Sequence, residues 1–288
     1  MKSWLWRLGS GAGVLLLGVA LASGADDAGE EEALQAARDA KKEIQEKLHA
    51  ELTTDESDHF LIHTTAPTAV RKRALKDAEA IYKDLARIFE MKKGEKPWRG
   101  RYVILLFHDP ADYTNYLSMR KLREGASATS IGLGKKSIGY VTTSKRGKAA
   151  DQRFHLHFFL PGRFIQAYRG GRKLPSWLYI GFCDYCSLLL PEDKKGRAKK
   201  REYVREWMEM RGRTFGTLRR QTSWPPGDFG RKQCMSIVDF MLRQKKFRKF
   251  VEKLKEKEVT EEQAFQEVFG VTPAEFEQHW RAFVTKSY

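Results

Sequence analysis

The chain of 288 residues is long enough for one large domain or two small ones, and 53 Lys and Arg against 37 Asp and Glu give it a net charge of +16. Its three cysteines exclude a fully paired disulfide scaffold within one chain, because an odd number leaves at least one thiol over. Residues 26–58 carry a net charge of −8, whereas residues 59–288 carry +22. A body this basic attracts polyanions, although scattered bases are also typical of an ordinary lysine-rich surface.

The first 25 residues, MKSWLWRLGSGAGVLLLGVALASGA, have the organisation of a secretory signal peptide. Lys2 and Arg7 precede an apolar stretch centred on 14–21, and small residues follow at Ala22 and Ala25, where cleavage would occur. The apolar stretch is shorter than the roughly 20 residues that a membrane-spanning helix needs. We therefore expect a secreted or periplasmic protein with no transmembrane segment after signal removal.

The acidic segment that follows, residues 26–56, is rich in helix formers. Its apolar residues form one weak stripe at helical spacing, which predicts a peripheral helix or a flexible tether. The stripe consists of Ala33, Ala36, Ala37, Ala40, Ile44 and Leu48.

Three short apolar runs predict the strands of a small N-terminal sheet, at residues 59–64, 101–108 and 138–143. The second run, RYVILLFH, is continuously apolar, as strands buried on both faces are. Between the first two runs, residues 67–91 have apolar side chains at helical spacing, which indicates a long amphipathic helix. Residues 123–137 are rich in Gly, Ser and Ala and predict a loop.

Helical patterns dominate the second half of the chain. They cover residues 148–169, 175–190, about 197–211 and 232–244, with an irregular segment at 212–231. A few early strands followed by many helices predict the α+β class.

Two capping signals mark the last helices. Thr260 with Gln263 has the spacing of a capping box, and Gly270 is placed to end the helix that this box begins. Thr272 with Glu275 repeats the signal at the start of the final helix.

Two segments of the second half of the chain carry specific sequence motifs. LPSWLYIGFCDY, residues 174–185, follows L-P-x-W-L-x-x-G-x-x-x-Y, and the C-terminal helices contain G-x-[ST]-x-x-E-[FL]-E-x-x-W. With the strand–helix–strand order of residues 59–108, these motifs resemble the peptidase MA-like family of gluzincin metallopeptidases. The resemblance implies a zincin-like fold with a small N-terminal sheet and a mainly helical C-terminal half. It divides the chain into a signal peptide (1–25), an acidic segment (26–56) and a peptidase MA-like domain (57–288).

In active members of that family, an H-E-x-x-H helix supplies two histidines to zinc and a glutamate that acts as the general base. A second helix, with W-L-x-E-G, supplies a third ligand, and the corresponding position here is Ile180. One register places the first histidine 23 residues earlier, at His157. Phe158 then stands in place of the base, and Pro161 stands in place of the second histidine.

The other register places the first histidine 25 residues before Ile180, at His155, so that Leu156 and Phe159 replace the base and the second histidine. In both registers one of four key residues survives, and a lone imidazole cannot hold a catalytic zinc ion. Pro161 also removes a helical hydrogen bond, so we expect the helix to be kinked or split there. The sequence therefore predicts no metal, no cofactor and no catalytic residue of the family type.

Asp184 lies one turn beyond Ile180 on the same helix face, at an acidic position that is common in the family. It could form an acid–base pair with His157, although a structural hydrogen-bonding role is the interpretation that we favour. His59 and His63 lie four apart in a predicted strand, which places them about 13 Å apart and too far from each other to share a metal.

These observations predict a secreted or periplasmic binding or scaffold module that has lost zinc peptidase activity. Its partner is unknown; an envelope protein or an anionic polymer would suit the charge. One alternative is a hydrolase with a non-standard site built from His155, His157 and Asp184. Another is a polyanion-binding envelope protein that uses its basic surface. The cysteines are expected to act as small buried hydrophobic residues, namely Cys183, Cys186 and Cys234.

Overall fold

A computed structural model describes residues 17–49, 51–98, 100–121, 128–133, 137–143, 149–170, 172–192, 194–211, 213–220 and 227–288. Within these ranges it describes the backbone alone at 17–30, 33, 128–133, 137–143, 149–155, 207–208, 210–211 and 227–229. The proposed signal peptide falls mostly outside the described residues, and so does the side chain of His155.

The described elements form an α+β fold with five strands and a mainly helical second half. In chain order they are α1 (Leu17–Leu48), β1 (Thr53–Glu56), β2 (Phe60–Thr64), α2 (Thr68–Ile88), β3 (Tyr102–Phe107), α3 (Pro110–Met119), β4 (Ala128–Leu133), β5 (Ser137–Thr143), α4 (Ala149–Ala167), α5 (Ser176–Asp184) with a π-helical continuation (Tyr185–Leu189), α6 (Lys194–Arg211), α7 (Phe215–Arg220), α8 (Gly227–Arg243), α9 (Phe247–Lys255), α10 (Glu261–Phe269) and α11 (Pro273–Ser287).

The five strands form one mixed sheet in the order β1-β2-β3-β5-β4. Strands β2, β3 and β5 are parallel, and the edge strands β1 and β4 each run antiparallel to their neighbour. In the central register Ile62 lies opposite Ile104, which lies opposite Tyr140. The strands predicted at 59–64, 101–108 and 138–143 are thus confirmed as β2, β3 and β5.

Alternate residues of the central strands face two separate cores, because successive side chains of a strand point to opposite faces. Ile104 belongs to a large core that α2, α4, α5 and the C-terminal helices complete. Leu105 faces a smaller core under α1 and α3, where Ala37, Ala40 and Ile44 of the predicted stripe are buried. The acidic segment therefore contributes both α1 and the first strand of the sheet.

Two local expectations were wrong, and a third was wrong in part. Residues 123–137 were expected to form a loop, but they contain β4, which pairs with β5 along one edge despite its small residues. Residues 212–231 were expected to be irregular, but they contain α7 and the start of α8. The helix expected to be kinked or split at Pro161 is not split, since α4 runs through it with Leu160 and Phe164 fully buried on either side. In each case tertiary packing outweighs local propensity.

The C-terminal helices begin and end where their sequence signals predicted. Thr260 and Thr272 each accept a hydrogen bond from the third backbone N–H of their helix, and both capping boxes are complete. Gly270 ends α10 in the left-handed conformation, with φ of 75°. No helix in the described part of the chain is both long and apolar enough to cross a bilayer.

Candidate functional site

The corner at which the resemblance would place a zinc site lies where α5 packs against both α4 and α8. Two glycines allow this close approach. A Cβ atom at Gly162 of α4 would lie 2.8 Å from the Cys183 sulfur atom, and a Cβ at Gly181 of α5 would overlap the backbone carbonyl of Cys234. At both positions the absence of a glycine side chain lets the neighbouring helices approach closely, which leaves little room between them.

Helix α5 directs position 180, where the resemblance would place a third ligand, into this packing. Ile180 is 1% exposed and Trp177 is 2% exposed, as their helical spacing predicted. The indole Nε1 of Trp177 donates a hydrogen bond of 3.1 Å to Glu261, which starts α10. The side chain of Ile180 is therefore part of the core.

The carboxylate of Asp184 is held by Arg231 of α8. Arg231 Nε donates to Asp184 Oδ2 at 2.9 Å, and Arg231 Nη2 donates to Oδ1 at 2.5 Å. The Asp184 side chain is 3% exposed and that of Arg231 is 25% exposed. A two-pronged contact of this kind satisfies both carboxylate oxygens with one planar cation. The charge of Asp184 is thus balanced within the protein.

Phe158 covers the same ion pair from α4. The Arg231 guanidinium lies 5.1 Å from the centre of the Phe158 ring, within cation–π range. Phe158 is 7% exposed, and the neighbouring His157 is 6% exposed. In the register that starts at His157, the residue in the place of the catalytic base therefore packs on an arginine.

The three cysteines are free thiols and are fully buried, as predicted. Burial raises the pKa of Cys183 and Cys186 well above the usual value, and the charge of Asp184 raises that of Cys183 further. Burial also raises the pKa of Cys234 to about 12. Thiols with so little thiolate at neutral pH are poor nucleophiles and poor metal ligands.

The described residues of this corner do not fit a catalytic zinc ion. Ile180, Phe158 and Pro161 carry no donor atom, and Asp184 directs both oxygens at Arg231. Across the side chains that the structure describes, no group of three or more His, Cys, Asp or Glu is placed to hold a metal ion. A catalytic zinc needs about three protein ligands in fixed geometry.

His59 and His63 contact different elements. His59 Nδ1 lies 2.8 Å from Glu79 Oε2 of α2, and its ring stacks on Tyr82 with centroids 3.7 Å apart. His63 Nδ1 lies 3.0 Å from the Thr54 hydroxyl of β1, and His63 lines a groove beneath α1. The sequence pattern missed that groove, because its residues come from three separate segments.

Comparison with known proteins adds no family to this geometry. No protein-family model matches the chain, and no curated protein matches it. The relationship to the peptidase MA-like family therefore rests on the motifs of the sequence and stays a prediction.

Proposed function

We propose that this protein is an exported, gluzincin-like binding or scaffold module in which an ion-paired apolar core replaces the zinc peptidase site. The observation that carries the proposal is the pair of Asp184 and Arg231 beside the buried Ile180. A carboxylate at position 180 without a metal opposite it would be desolvated, at a cost of several kcal/mol. Isoleucine avoids that cost, and the arginine neutralises the remaining acid.

The same geometry argues against a hydrolase that uses Asp184 as an acid or base. Its two oxygens accept hydrogen bonds from Arg231, so that protonation of the carboxylate would weaken a charge-assisted pair. His157 of α4 is itself buried, so access for a substrate is small there as well. A role in holding α5 to α8 accounts for Asp184.

A second candidate function, polyanion binding, is favoured by α6. The first half of this helix carries six cations and no acid in its first turn. Cations at a helix N-terminus interact unfavourably with the helix dipole, by about 0.3–1 kcal/mol each. Two of the six serve the fold, because Lys200 pairs with Glu192 and Arg201 pairs with the buried Asp239. The remaining four are available to an external polyanion, namely Lys194, Lys195, Arg197 and Lys199.

Metal analysis tests the leading proposal. The protein is purified without chelator from a host that exports it, and its N-terminus is sequenced to establish signal cleavage. We expect far less than one zinc per chain, and no zinc-dependent hydrolysis of a general protein substrate after zinc is added. About one zinc per chain, removable by chelator with loss of a hydrolytic activity, would contradict the proposal.

Heparin chromatography tests the second candidate. The double variant Lys195→Glu, Lys199→Glu should elute from heparin at clearly lower salt than the wild type. The matched variant Lys93→Glu, Lys257→Glu makes the same charge change at exposed sites elsewhere. Equal shifts for the two variants would mean that only total charge matters, and polyanion binding through α6 would be wrong.

A further inference from the structure

A groove of about 440 Å³ lies on the face of the sheet opposite the α4–α5–α8 corner, between α1 and the strands β1 and β2. This volume is within the range of small-molecule sites. Its apolar floor includes Leu34 and Leu61. Its charged lining is strongly biased, with four cations and one acid, namely Arg38, Lys41, Lys42, Arg101 and Glu56.

Three of the four cations already have a carboxylate partner. Arg38 pairs with Glu31 at 3.1 Å, Arg101 pairs with Glu56 at 3.1 Å, and Lys42 lies 3.8 Å from Glu46. Lys41 differs, because its ammonium donates to the neutral hydroxyl of Thr54 at 2.9 Å, and none of the ion pairs between described residues includes it. The groove thus presents one positive charge without a fixed counter-charge.

The contact of Lys41 continues inward to a buried histidine. An ammonium can only donate, so Thr54 Oγ1 accepts from Lys41, and the same oxygen lies 3.0 Å from His63 Nδ1. Burial lowers the pKa of His63 to about 4, with a further contribution from the Lys41 charge, and the carbonyl of Ala37 opposes the shift. The ring is therefore neutral at pH 7.

This chain of hydrogen bonds holds the Lys41 ammonium in one place. A fixed cation in a concave site attracts an anion more strongly than a mobile surface lysine, because less side-chain entropy is lost on binding. The neighbouring Arg38, Lys42 and Arg101 raise the local positive potential. Each of these cations could also leave its carboxylate partner and bind an anionic oxygen of the ligand, so that it would stay paired with a negative charge. The apolar floor suits a ligand with a short hydrocarbon body.

We propose that this groove binds a small organic oxyanion, a carboxylate or a phosphate monoester with a short apolar part, through the ammonium of Lys41. The two ligand types share the anionic oxygens that the ammonium recognises. The site lies on the other face of the sheet from Asp184 and involves none of the residues of that corner. The proposal therefore does not rest on the loss of the peptidase site, and the two can fail separately.

Calorimetric titration of the purified protein tests the site. The probes are inorganic phosphate, phenyl phosphate and adipate, with hexanol as the neutral control, all at one ionic strength. We expect saturable binding of phenyl phosphate or adipate and none of hexanol. Tighter binding of phenyl phosphate than of inorganic phosphate would locate the apolar body on the floor of the groove. No saturable binding of any anion at millimolar concentration would overturn the proposal.

Matched variants of α1 identify the cation. Lys41→Met should lower affinity at least about tenfold, since a hydrogen bond to a charged group is lost. Lys47→Met removes the same charge from the same helix, where Lys47 pairs with Glu43, and should change affinity less than about twofold. Equal losses in the two variants would show diffuse attraction and contradict a defined site.

A spectroscopic readout separates binding from folding. The ring ¹⁵N signals of His63 should show a neutral ring at pH 7 in the free protein and should shift on titration with the anion that binds. In Lys41→Met that ligand-induced shift should be lost, while the circular dichroism spectrum stays that of the wild type. Should Lys41→Met unfold, the double variant Lys42→Met, Arg101→Gln must weaken binding instead. Unchanged binding there would equally overturn the proposal.

Discussion

The two faces of the sheet differ in how their charged side chains are paired. On the face of α4 and α5, Asp184 is 3% exposed and both its oxygens are paired with Arg231, beside the apolar Ile180. On the face of α1, Lys41 stands in an open groove with a hydroxyl as its partner. The resemblance to peptidases directs attention to the first face, yet the second one retains the means to hold a ligand.

The difference follows from how each face is covered. Two long helices and the whole C-terminal half pack over the first face, and their aromatic side chains fill it. The second face is covered mainly by α1 and α3, and α1 buries only a narrow stripe of small residues such as Ala37 and Ala40. The flanks of such a helix stay in contact with water, so the charged ends of lysine and arginine side chains there lose little hydration free energy.

Removal of one charge from the buried Asp184–Arg231 pair should lower the stability of the protein more than any change in the open groove. Asp184→Asn should lower the free energy of unfolding by about 3–5 kcal/mol, because it leaves the partly buried Arg231 without its counter-charge. The measurement is the shift of the urea midpoint at pH 7. Glu46→Gln is the control, because it removes the exposed pair with Lys42 and should cost less than about 1 kcal/mol. Equal effects would show that the corner is not a dry core.

A glutamate introduced at position 180 should not create a zinc site. Ile180→Glu should cost about 2–5 kcal/mol, from lost apolar burial and an uncompensated polar group, whereas Ile180→Leu should cost less than about 1.5 kcal/mol. Burial raises the pKa of such a carboxyl group, so the penalty belongs to the ionised form and grows as pH rises above the unfolded value. Urea midpoints at pH 7 and at low pH should therefore show a smaller loss at low pH. A variant as stable as the wild type that binds zinc tightly would contradict the proposed function.

The open face should show its own dependence on pH through His63. Its folded-state pKa of about 4 lies below the unfolded value of about 6.5, so the folded state favours the neutral ring. Between these values the unfolded chain binds more protons, and stability falls as pH falls through this window. The expected contribution is on the order of 3 kcal/mol.

The measurement is the unfolding free energy of the wild type and of His63→Gln at pH 7 and pH 4. The variant should lose less stability on acidification, since it has no ring to protonate. His279→Gln, which changes an exposed histidine of α11, should follow the wild type. Identical pH dependence in all three proteins would mean that His63 is not buried as a neutral ring.

The sequence determined the features that depend on near neighbours along the chain. The continuous apolar run at 101–108 specifies β3, because both faces of this strand are buried. The capping boxes at Thr260 and Thr272 need only side chains three residues apart. Burial of Trp177 and Ile180 follows from their spacing on one helix face.

Tertiary structure alone decided the features that join distant segments. Strand β4 exists because β5 pairs with it, and α4 continues through Pro161 because neighbouring helices pack around it. Asp184 and Arg231 are 47 residues apart, and the groove joins α1 to strands further along the chain. Local patterns extend over one or two helical turns, whereas a charge pair or a groove depends on which surfaces the folded chain brings together. For that reason the sequence indicated only which residues of the resembled motif are replaced, and the fold was needed to show what balances Asp184 and where Lys41 stands without a carboxylate partner.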